Sequence, residues 1–147
     1  GDLEGAFLVI AATGDPAINE RVWRAAEERG LLVNVVDDPA HCNFIAPSVV
    51  RRGPLTLAIS TSGCCPALSR HVRETLEDAF GPTYADYVAL LGELRAETMD
   101  ELSMDQRRAL WQEIFGSDVL PLLSCGDQEG ARRLARSILS RHLCGGS

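Results

Sequence analysis

The sequence predicts an α/β fold in which a short parallel sheet comes first and a group of helices follows. The continuous apolar run at residues 6–12 is typical of a strand buried on both faces of a parallel sheet, and residues 31–36 repeat this buried-strand pattern. The segment between them has apolar residues at helical spacing, and beyond residue 82 only helical patterns remain. The chain has 147 residues, 46% of them hydrophobic, which suffices for one core or for two small lobes.

The helix between the two runs has its own start and stop signals. Asp15 is a suitable N-cap, Pro16 suits the first helical position, and Gly30 stands where a helix ends. Strand, helix and strand form one βαβ unit with a right-handed crossover. Because two parallel strands and one crossover helix do not make a stable open sheet, whose two faces and two edges all need covering, we expect an incomplete Rossmann-like sheet. The simplest interpretation is that the N-terminal half of that sheet is absent from this chain.

A strand and a helix come next along the chain. Residues 55–60 are predicted to be a strand, introduced by residues 51–54. Pro66 begins a helix with an apolar stripe, and Gly81-Pro82 ends it. These boundaries predict three parts: an α/β part at residues 1–50, a strand-and-helix connector at residues 51–82, and a helical part at residues 83–147.

Capping patterns divide the helical part into three predicted helices. Thr83 is the expected N-cap of the first of them. Ser103 and Gln106 have the spacing of a capping box and predict the start of the second. Asp127 is the expected first residue of the last helix, whose arginines lie mostly on the outer face.

Composition and charge exclude several classes of function. The formal net charge is −7, and nucleic acids and anionic membranes bind basic surfaces, so we expect neither as a partner. All 14 basic residues are arginine, which excludes a lysine Schiff base and the lysine of a P-loop. No apolar run approaches the roughly 20 residues of a membrane-spanning helix, and we expect a cytoplasmic protein. The five cysteines contain no C-x-x-C pair, so we expect reduced thiols and no resident metal.

Asp37 is the residue whose position most suggests chemistry. It follows the second predicted strand, and open α/β sheets bind ligands beyond the carboxyl ends of their parallel strands. A carboxylate there can take a proton from a bound molecule. The alternative is structural, with Asp37 or Asp38 stabilising a turn before Pro39. The residues by themselves leave both interpretations open.

Several short segments together resemble a known family. They are, in chain order, LVIAAT (residues 8–13), NVVDDP (34–39), FI-x-P (44–47), RGPL (52–55) and ISTSG (59–63), with PAL (66–68) shortly after the last. Each is weak alone, but their order over residues 6–73 is specific. The chain resembles the bifunctional precorrin-2 dehydrogenases and sirohydrochlorin ferrochelatases of siroheme synthesis. Its helical remainder is similar to the dimer-forming region of that family in pattern only.

The resemblance implies an NAD-dependent oxidation of precorrin-2 to sirohydrochlorin, followed by insertion of ferrous iron, a substrate, to give siroheme. It also implies a homodimer in which residues 1–50 are a partial NAD-binding domain and residues 51–82 a dimerisation segment. By this resemblance Asp37 matches the catalytic aspartate of the family. Ala12 and Thr13 are expected to border the nicotinamide, although Thr13 also suits the N-terminal region of a helix.

The carboxylates of the tetrapyrrole are expected to bind where the strand at residues 55–60 leads into the helix at Pro66. This turn offers hydroxyl groups and backbone N–H groups from Ser60, Thr61, Ser62 and Gly63. Guanidinium groups suit carboxylates, and the arginines expected to contribute are Arg51, Arg52, Arg70 and Arg73. For each arginine the alternative is a solvated surface charge.

Three features depart from the family pattern. The glycine-rich turn G-x-G-x-x-G, which seats a pyrophosphate, occurs nowhere in the sequence. Gly14 replaces a usual aspartate, and Cys64-Cys65 replace small or hydroxyl residues, which puts thiols near the expected tetrapyrrole site. The missing turn leaves two alternatives for function: a chelatase without dehydrogenase activity, and a non-catalytic dimeric module that binds the tetrapyrrole.

Overall fold

The computed structural model describes residues 3–99 and 101–144, which form two compact units. The sheet unit contains the chain up to Val49 together with Ala58–Arg73, and the helical unit contains Val50–Leu57 together with the chain from Glu74 onward. The elements are, in chain order, β1 (Leu8–Ala11), α1 (Pro16–Glu27), β2 (Leu32–Val35), a 3₁₀ turn (Pro39–His41), β3 (Ser48–Arg52), β4 (Leu55–Ile59), α2 (Pro66–Ala79), α3 (Thr83–Thr98), α4 (Met104–Phe115), α5 (Val119–Ser124) and α6 (Gln128–Cys144).

The predicted βαβ unit is confirmed. β1 and β2 pair in parallel, in a register that places Leu8 opposite Leu32 and Ala11 opposite Val35. α1 begins where expected, because the carboxylate of Asp15 accepts a hydrogen bond of 2.8 Å from the backbone N–H of Ala17. The chain therefore forms the short parallel sheet of an α/β fold and continues into helices, as predicted.

The two faces of this sheet differ, and the expectation that β1 is buried on both faces is wrong. Val9 and Val33 are buried in a cluster that includes Ala26 of α1. Leu8 and Ile10 point to the other face and are 42% and 60% exposed. One helix covers one face, and among the described residues of the sheet unit no second helix packs on β1. A continuous apolar run therefore indicates a strand that can be buried on both faces, but the elements that bury it come from other parts of a fold.

A hairpin that the sequence pattern did not predict precedes α2. β3 pairs with β4 across the two-residue connection Gly53-Pro54, a length that joins only antiparallel strands. Gly53 has a φ of +57°, and a Cβ atom there would lie 3.1 Å from the Cβ atom of Ala85. The backbone of this turn therefore requires glycine. Arg51 and Arg52, expected to lie in a segment leading into a strand, belong to β3 itself.

The helical unit has its own hydrophobic core. α3 packs chiefly on α5, α4 on α6, and α5 on α6. Side chains of four large residues fill its centre and are at most 1% exposed: Leu94, Leu110, Ile114 and Ile138. α5 was not predicted, because its six residues are too few to show a helical period. None of the helices in residues 3–99 and 101–144 combines the length and the apolar character needed to cross a membrane.

Two of the three predicted helix starts in this unit are confirmed. Ser103 and Gln106 form a reciprocal capping box, with bonds of 2.9 and 3.3 Å between side chain and backbone. The carboxylate of Asp127 accepts a bond of 2.8 Å from the N–H of Gly130 at the start of α6. Thr83 is not the cap of α3. Pro82 occupies that position with helical backbone angles, so Thr83 already lies inside the helix and makes no capping bond.

Ion pairs connect the outer surface of α6 to α3 and α4. Arg132 binds Glu93 at 2.6 Å and Arg136 binds Glu97 at 3.2 Å, both across to α3. Glu113 of α4 pairs with Arg141 and with His142 of α6. These exposed pairs contribute little to stability individually, but they make the α3–α6 and α4–α6 surfaces polar.

Glu93 provides a test of these ion pairs. The hydrogen bond from Arg132 holds the pKa of Glu93 below its ordinary value of 4.5. A depressed carboxyl pKa stabilises the fold above the unfolded pKa, and this contribution disappears as the pH falls through the folded pKa. We expect Arg132→Ala to raise the Glu93 pKa toward 4.5, as followed by an NMR titration of its carboxyl carbon. Arg133→Ala is the matched control, because Arg133 pairs with Glu129 and should leave Glu93 unchanged. An unshifted Glu93 in Arg132→Ala would contradict the assignment.

Candidate functional site

The candidate site lies at the carboxyl edge of the parallel sheet. Ala12 and Thr13 follow β1, while Val36 and Asp37 follow β2. The two strand ends are adjacent, because the backbone N–H of Val36 donates a bond of 2.9 Å to the carbonyl of Ala11. The structure thus brings Asp37 to the edge where open α/β sheets bind their ligands.

The backbone of Asp37 adopts an uncommon conformation. Its φ is +61°, and within the described residues only Ser62, at +53°, is another non-glycine residue with a positive φ. Left-handed residues other than glycine store strain and concentrate at functional sites. Aspartate tolerates this conformation better than most residue types do. The left-handed backbone directs the exposed Asp37 out of the strand path just beyond the sheet edge.

Asp37 shares a surface cavity with the turn that precedes α2. A cavity of about 200 Å³ is lined by residues of both segments, among them Asp37, Asp38, Cys42, Gly63 and Pro66. A second cavity of about 130 Å³ is lined by Ser60 and Thr61, and Gly63 and Pro66 line both. Gly63 is required at this place, because a Cβ atom would lie 3.1 Å from Ile45 and its φ is +80°. Sites that enclose small molecules usually measure roughly 300–1,000 Å³, so each cavity suits a side arm of a ligand and not a macrocycle.

The turn is held together largely by its own hydrogen bonds. Thr61 accepts bonds from the N–H groups of Cys64, at 3.0 Å to its carbonyl, and of Cys65, at 3.1 Å to its hydroxyl. The Thr61 hydroxyl also lies 3.1 Å from the hydroxyl of Ser69, and the N–H of Ser62 donates to the Ser60 hydroxyl oxygen. Of the four amides expected to bind carboxylates, that of Ser62 is therefore engaged within the turn. The hydroxyl groups of Ser60 and Ser62 are donors that a ligand can use.

Ala12 and Thr13, which the sequence predicts to border the nicotinamide, lie beside a turn that is closed by hydrogen bonds between Thr13 and Asn19. The hydroxyl of Thr13 donates to Asn19 at 2.6 Å, and the Asn19 amide donates to the carbonyl of Thr13 at 3.1 Å. Ala12 is exposed at the strand end. The N-terminus of α1 does not suit a pyrophosphate, because the Asp15 carboxylate occupies an amide of the first turn and adds a negative charge. The described residues at the start of α1 therefore do not suit the phosphates of a nicotinamide cofactor.

The four predicted arginines are divided between the two units of the fold. Arg52 donates to the carbonyls of Phe80 at 2.7 Å and of Glu77 at 3.1 Å, so its guanidinium binds the end of α2. Arg51 is exposed on β3 and, like Arg52, belongs to the helical unit. Arg70 and Arg73 lie on α2 in the sheet unit, the unit that contains Asp37 and the turn. The structure thus brings Arg70 and Arg73, but not Arg51 and Arg52, into the same unit as Asp37.

Sequence reasoning missed the residues that hold the loop after Asp37. The Asn43 side chain accepts a bond of 2.7 Å from the N–H of Val33, and the Asn34 amide donates to the carbonyl of Phe44 at 2.9 Å. These bonds seat residues 42–44 along the free edge of β2. The Cys42 thiol lies 3.2 Å from the carbonyl of Asp38 and the N–H of Val35. The signal was a polar residue, Asn34, inside an apolar strand, with Asn43 shortly after it.

Asp38 differs from Asp37 in its partner. Its carboxylate lies 2.6 Å from Nδ1 of His41, whose ring meets Trp23 edge-on at 4.4 Å. Asp38 is therefore engaged in a local contact of hydrogen-bond length with His41, whereas Asp37 lines the cavity without such a partner among the described residues. No group of three or more metal-binding side chains is present in the part of the chain that the structure describes.

Comparisons with known proteins give matches along most of the chain. Three family models match in succession: NAD(P)-binding at residues 1–48, sirohaem biosynthesis protein central at residues 52–79, and sirohaem synthase dimerisation region at residues 83–139. The chain is 39% identical over 145 residues to a siroheme synthase of Photorhabdus laumondii, covering 97% of this chain and 31% of that protein. It is 40% identical to a siroheme synthase of Pseudomonas aeruginosa, covering 99% of this chain and 31% of that protein.

A solved structure is similar as well. The precorrin-2 dehydrogenase SirC superposes with a TM-score of 0.66 at 28% sequence identity. The match covers 92% of this chain and 66% of SirC. The chain therefore spans about a third of the length of the curated relatives it matches and about two thirds of the dehydrogenase.

Proposed function

Because this chain belongs to the siroheme synthase family, we propose that it acts on the tetrapyrrole intermediates of siroheme biosynthesis, with Asp37 as the proton acceptor. The reactions are the oxidation of precorrin-2 to sirohydrochlorin and the insertion of ferrous iron, a substrate, to give siroheme. One observation carries the proposal. Asp37 is held in a left-handed backbone conformation at the sheet edge, and it lines the same cavity as Gly63 of the turn that precedes α2.

Both reactions release protons, which gives Asp37 a role in each. Oxidation of precorrin-2 removes a hydride and a proton from the macrocycle, and metal insertion removes two protons from pyrrole nitrogens. A carboxylate within reach of the macrocycle edge can accept these protons and pass them to water. Asp37 is exposed beside the cavity, so water can take the accepted proton from its carboxyl group between steps.

We propose that the carboxylate arms of the tetrapyrrole bind at the turn of residues 60–63. Among the described residues, the hydroxyl groups of Ser60 and Ser62 donate no bond within the protein. The two small cavities beside Asp37 and Thr61 suit such arms. Arg70 lies on the helix that follows and is the arginine we favour for pairing with a carboxylate. Arg51 remains a further prediction, while the bonds of Arg52 to α2 favour a structural role.

NAD is the nicotinamide cofactor we propose for the oxidation, with its ring near Ala12 and Thr13. The family models and the dehydrogenase neighbour support a nicotinamide cofactor in this family. Its phosphates require residues other than those described at the α1 N-terminus. This observation also favours the second candidate function, a chelatase without dehydrogenase activity. A tetrapyrrole-binding module without catalysis is the third candidate.

An anaerobic absorbance assay separates these candidates. The purified chain is mixed with precorrin-2 with and without NAD, and in a parallel sample with sirohydrochlorin and ferrous iron. Growth of the sirohydrochlorin spectrum only with NAD supports the dehydrogenase. Iron insertion without oxidation supports the chelatase. Binding of sirohydrochlorin with neither reaction supports the module, and the absence of binding contradicts all three.

We also propose that the chain is a homodimer that works in the cytoplasm. Its proposed parts are a nucleotide-binding part at residues 1–50, a connecting part at residues 51–82 and a helical part at residues 83–147. The dimerisation-region match covers residues 83–139. Ion pairs make the α3–α6 and α4–α6 surfaces polar, whereas the groove between α3 and α4 is apolar. This groove measures about 410 Å³ and is lined by Val88, Leu91, Gly92, Arg95, Trp111 and Phe115. Because Phe115 is 64% exposed, a second copy of this chain is the occupant we propose for the groove.

Phe115→Asp is expected to convert the dimer to a monomer. A charge at the centre of an apolar interface costs at least about 2 kcal/mol, or roughly thirtyfold in the dimer Kd. Multi-angle light scattering across a concentration series measures the change. Phe7→Asp is the matched control, because Phe7 is 79% exposed in the sheet unit and should leave the dimer intact. A dimer lost only in Phe7→Asp would assign the interface to the sheet unit instead.

A further inference from the structure

Cys64 and Cys65 form a pair of adjacent exposed thiols at the entrance of α2. Both follow Gly63, which lines the two cavities of the candidate site. The other cysteines differ from this pair. Cys42 is partly buried with its thiol bonded to the backbone, and Cys125 has no neighbouring cysteine in the sequence.

The backbone of this pair holds the binding turn closed. The N–H of Cys64 donates to the carbonyl of Thr61, and the N–H of Cys65 donates to the Thr61 hydroxyl, at 3.0 and 3.1 Å. The same hydroxyl lies 3.1 Å from that of Ser69, so one residue connects the turn to α2. The conformation of Thr61, and with it the positions of the neighbouring serines, depends on both amides.

A disulfide between adjacent cysteines is incompatible with this backbone. Neighbouring Cα atoms across a trans peptide lie about 3.8 Å apart, whereas disulfides usually join Cα atoms about 4.4–6.8 Å apart. Closing the ring therefore twists the Cys64–Cys65 peptide and pulls its flanking N–H groups away from Thr61. Strained and exposed disulfides are also readily reduced, so such a bond is reversible.

We propose that Cys64 and Cys65 are a modification site for oxidants of the peroxide class, and that their disulfide opens the turn held by Thr61. In the first step one thiol loses its proton, its thiolate attacks a peroxide oxygen to give a sulfenic acid and hydroxide, and the hydroxide takes up that proton as water. The second thiol then displaces water from that sulfur to form the S–S bond. In total two thiols and one hydrogen peroxide give one disulfide and two waters, with sulfur oxidised and peroxide reduced.

The loss of tetrapyrrole binding on oxidation rests on the proposed function, whereas the disulfide and the opened turn do not. The reduced chain is treated with hydrogen peroxide under argon, and the excess is removed with catalase. We expect a mass decrease of about 2 Da in the peptide that contains residues 64–65, reversed by dithiothreitol. Hydrogen exchange at the Cys64 and Cys65 amides should accelerate in the oxidised chain. Sirohydrochlorin should bind about tenfold more weakly, as expected when hydrogen-bonded positions are lost.

Two variants make the test specific. Cys64→Ser should retain turn protection and sirohydrochlorin affinity after peroxide treatment, and its Cys65 sulfenic acid should be trapped by dimedone. Cys125→Ser is the matched control and should respond as the unsubstituted chain does. A disulfide between two chains, direct conversion to sulfinic acid, or an oxidised pair with unchanged amide exchange would each overturn the proposal. An oxidised pair with faster exchange in a chain that never binds sirohydrochlorin would support the modification site while contradicting the proposed function.

Discussion

Asp37→Asn is expected to slow both precorrin-2 oxidation and ferrous iron insertion by about 10²–10⁴-fold, the usual contribution of a positioned general base. Asparagine has nearly the size of aspartate and tolerates the left-handed backbone at φ +61°, so the turn should be preserved. Its amide cannot accept a proton at neutral pH. Anaerobic absorbance measures both reactions, and circular dichroism verifies that the fold is unchanged.

Asp38→Asn is the matched control for this prediction. Asp38 lines the same cavity, but its carboxylate already binds His41 at 2.6 Å. We expect its replacement to change either rate by less than about tenfold. A larger loss in Asp38→Asn than in Asp37→Asn would transfer the role of base to Asp38 and leave Asp37 as a turn residue. Sirohydrochlorin affinity should be similar in both variants, because both substitutions leave unchanged the turn of residues 60–63, which we propose as the carboxylate site.

Leu94→Ala is expected to destabilise the helical unit by about 2–5 kcal/mol, the cost of a cavity in a well-packed core. Leu94 is completely buried on α3, among side chains of the other helices of this unit. Urea denaturation followed by circular dichroism gives the free energy of unfolding. The midpoint should fall with little change in the denaturant dependence.

Leu143→Ala serves as the control for that substitution. It removes the same atoms from α6, where the side chain is 39% exposed. The expected loss is within about 0.5 kcal/mol, as for surface positions in general. Equal losses in the two variants would contradict the core described for the helical unit.

The candidate site was predictable in its residues but not in its assembly. Asp37 stood out because a carboxylate directly after a buried strand has a defined place in an α/β sheet. Its left-handed backbone was not evident, since φ depends on how the following loop packs. The loop is held by Asn34 and Asn43, whose bonds join residues ten positions apart. Hydrogen bonds at that separation leave no periodic signal in a sequence.

The turn of residues 60–63 was also predictable in its residues but not in its hydrogen bonds. Hydroxyl residues followed by a helix start were visible at residues 60–66. Only the structure shows that Thr61 engages the N–H groups of Cys64 and Cys65 and that the N–H of Ser62 donates to the Ser60 hydroxyl oxygen. The sequence predicted Arg52 as a carboxylate ligand on the same grounds as the other arginines. In the structure its guanidinium binds the carbonyls of Glu77 and Phe80, which are 25 and 28 residues away.

The sequence by itself determined the βαβ unit, the helical character after residue 82, and the caps at Asp15, Ser103 and Asp127. These features arise from hydrophobic period and from bonds between residues two or three apart, so they are local. The tertiary structure alone decided which face of the sheet is covered and which of two adjacent carboxylates, Asp38, is engaged by His41. It also decided that Gly53 requires its left-handed φ beside Ala85. Those outcomes depend on segments that are distant in sequence, because burial and pairing are properties of the packed chain.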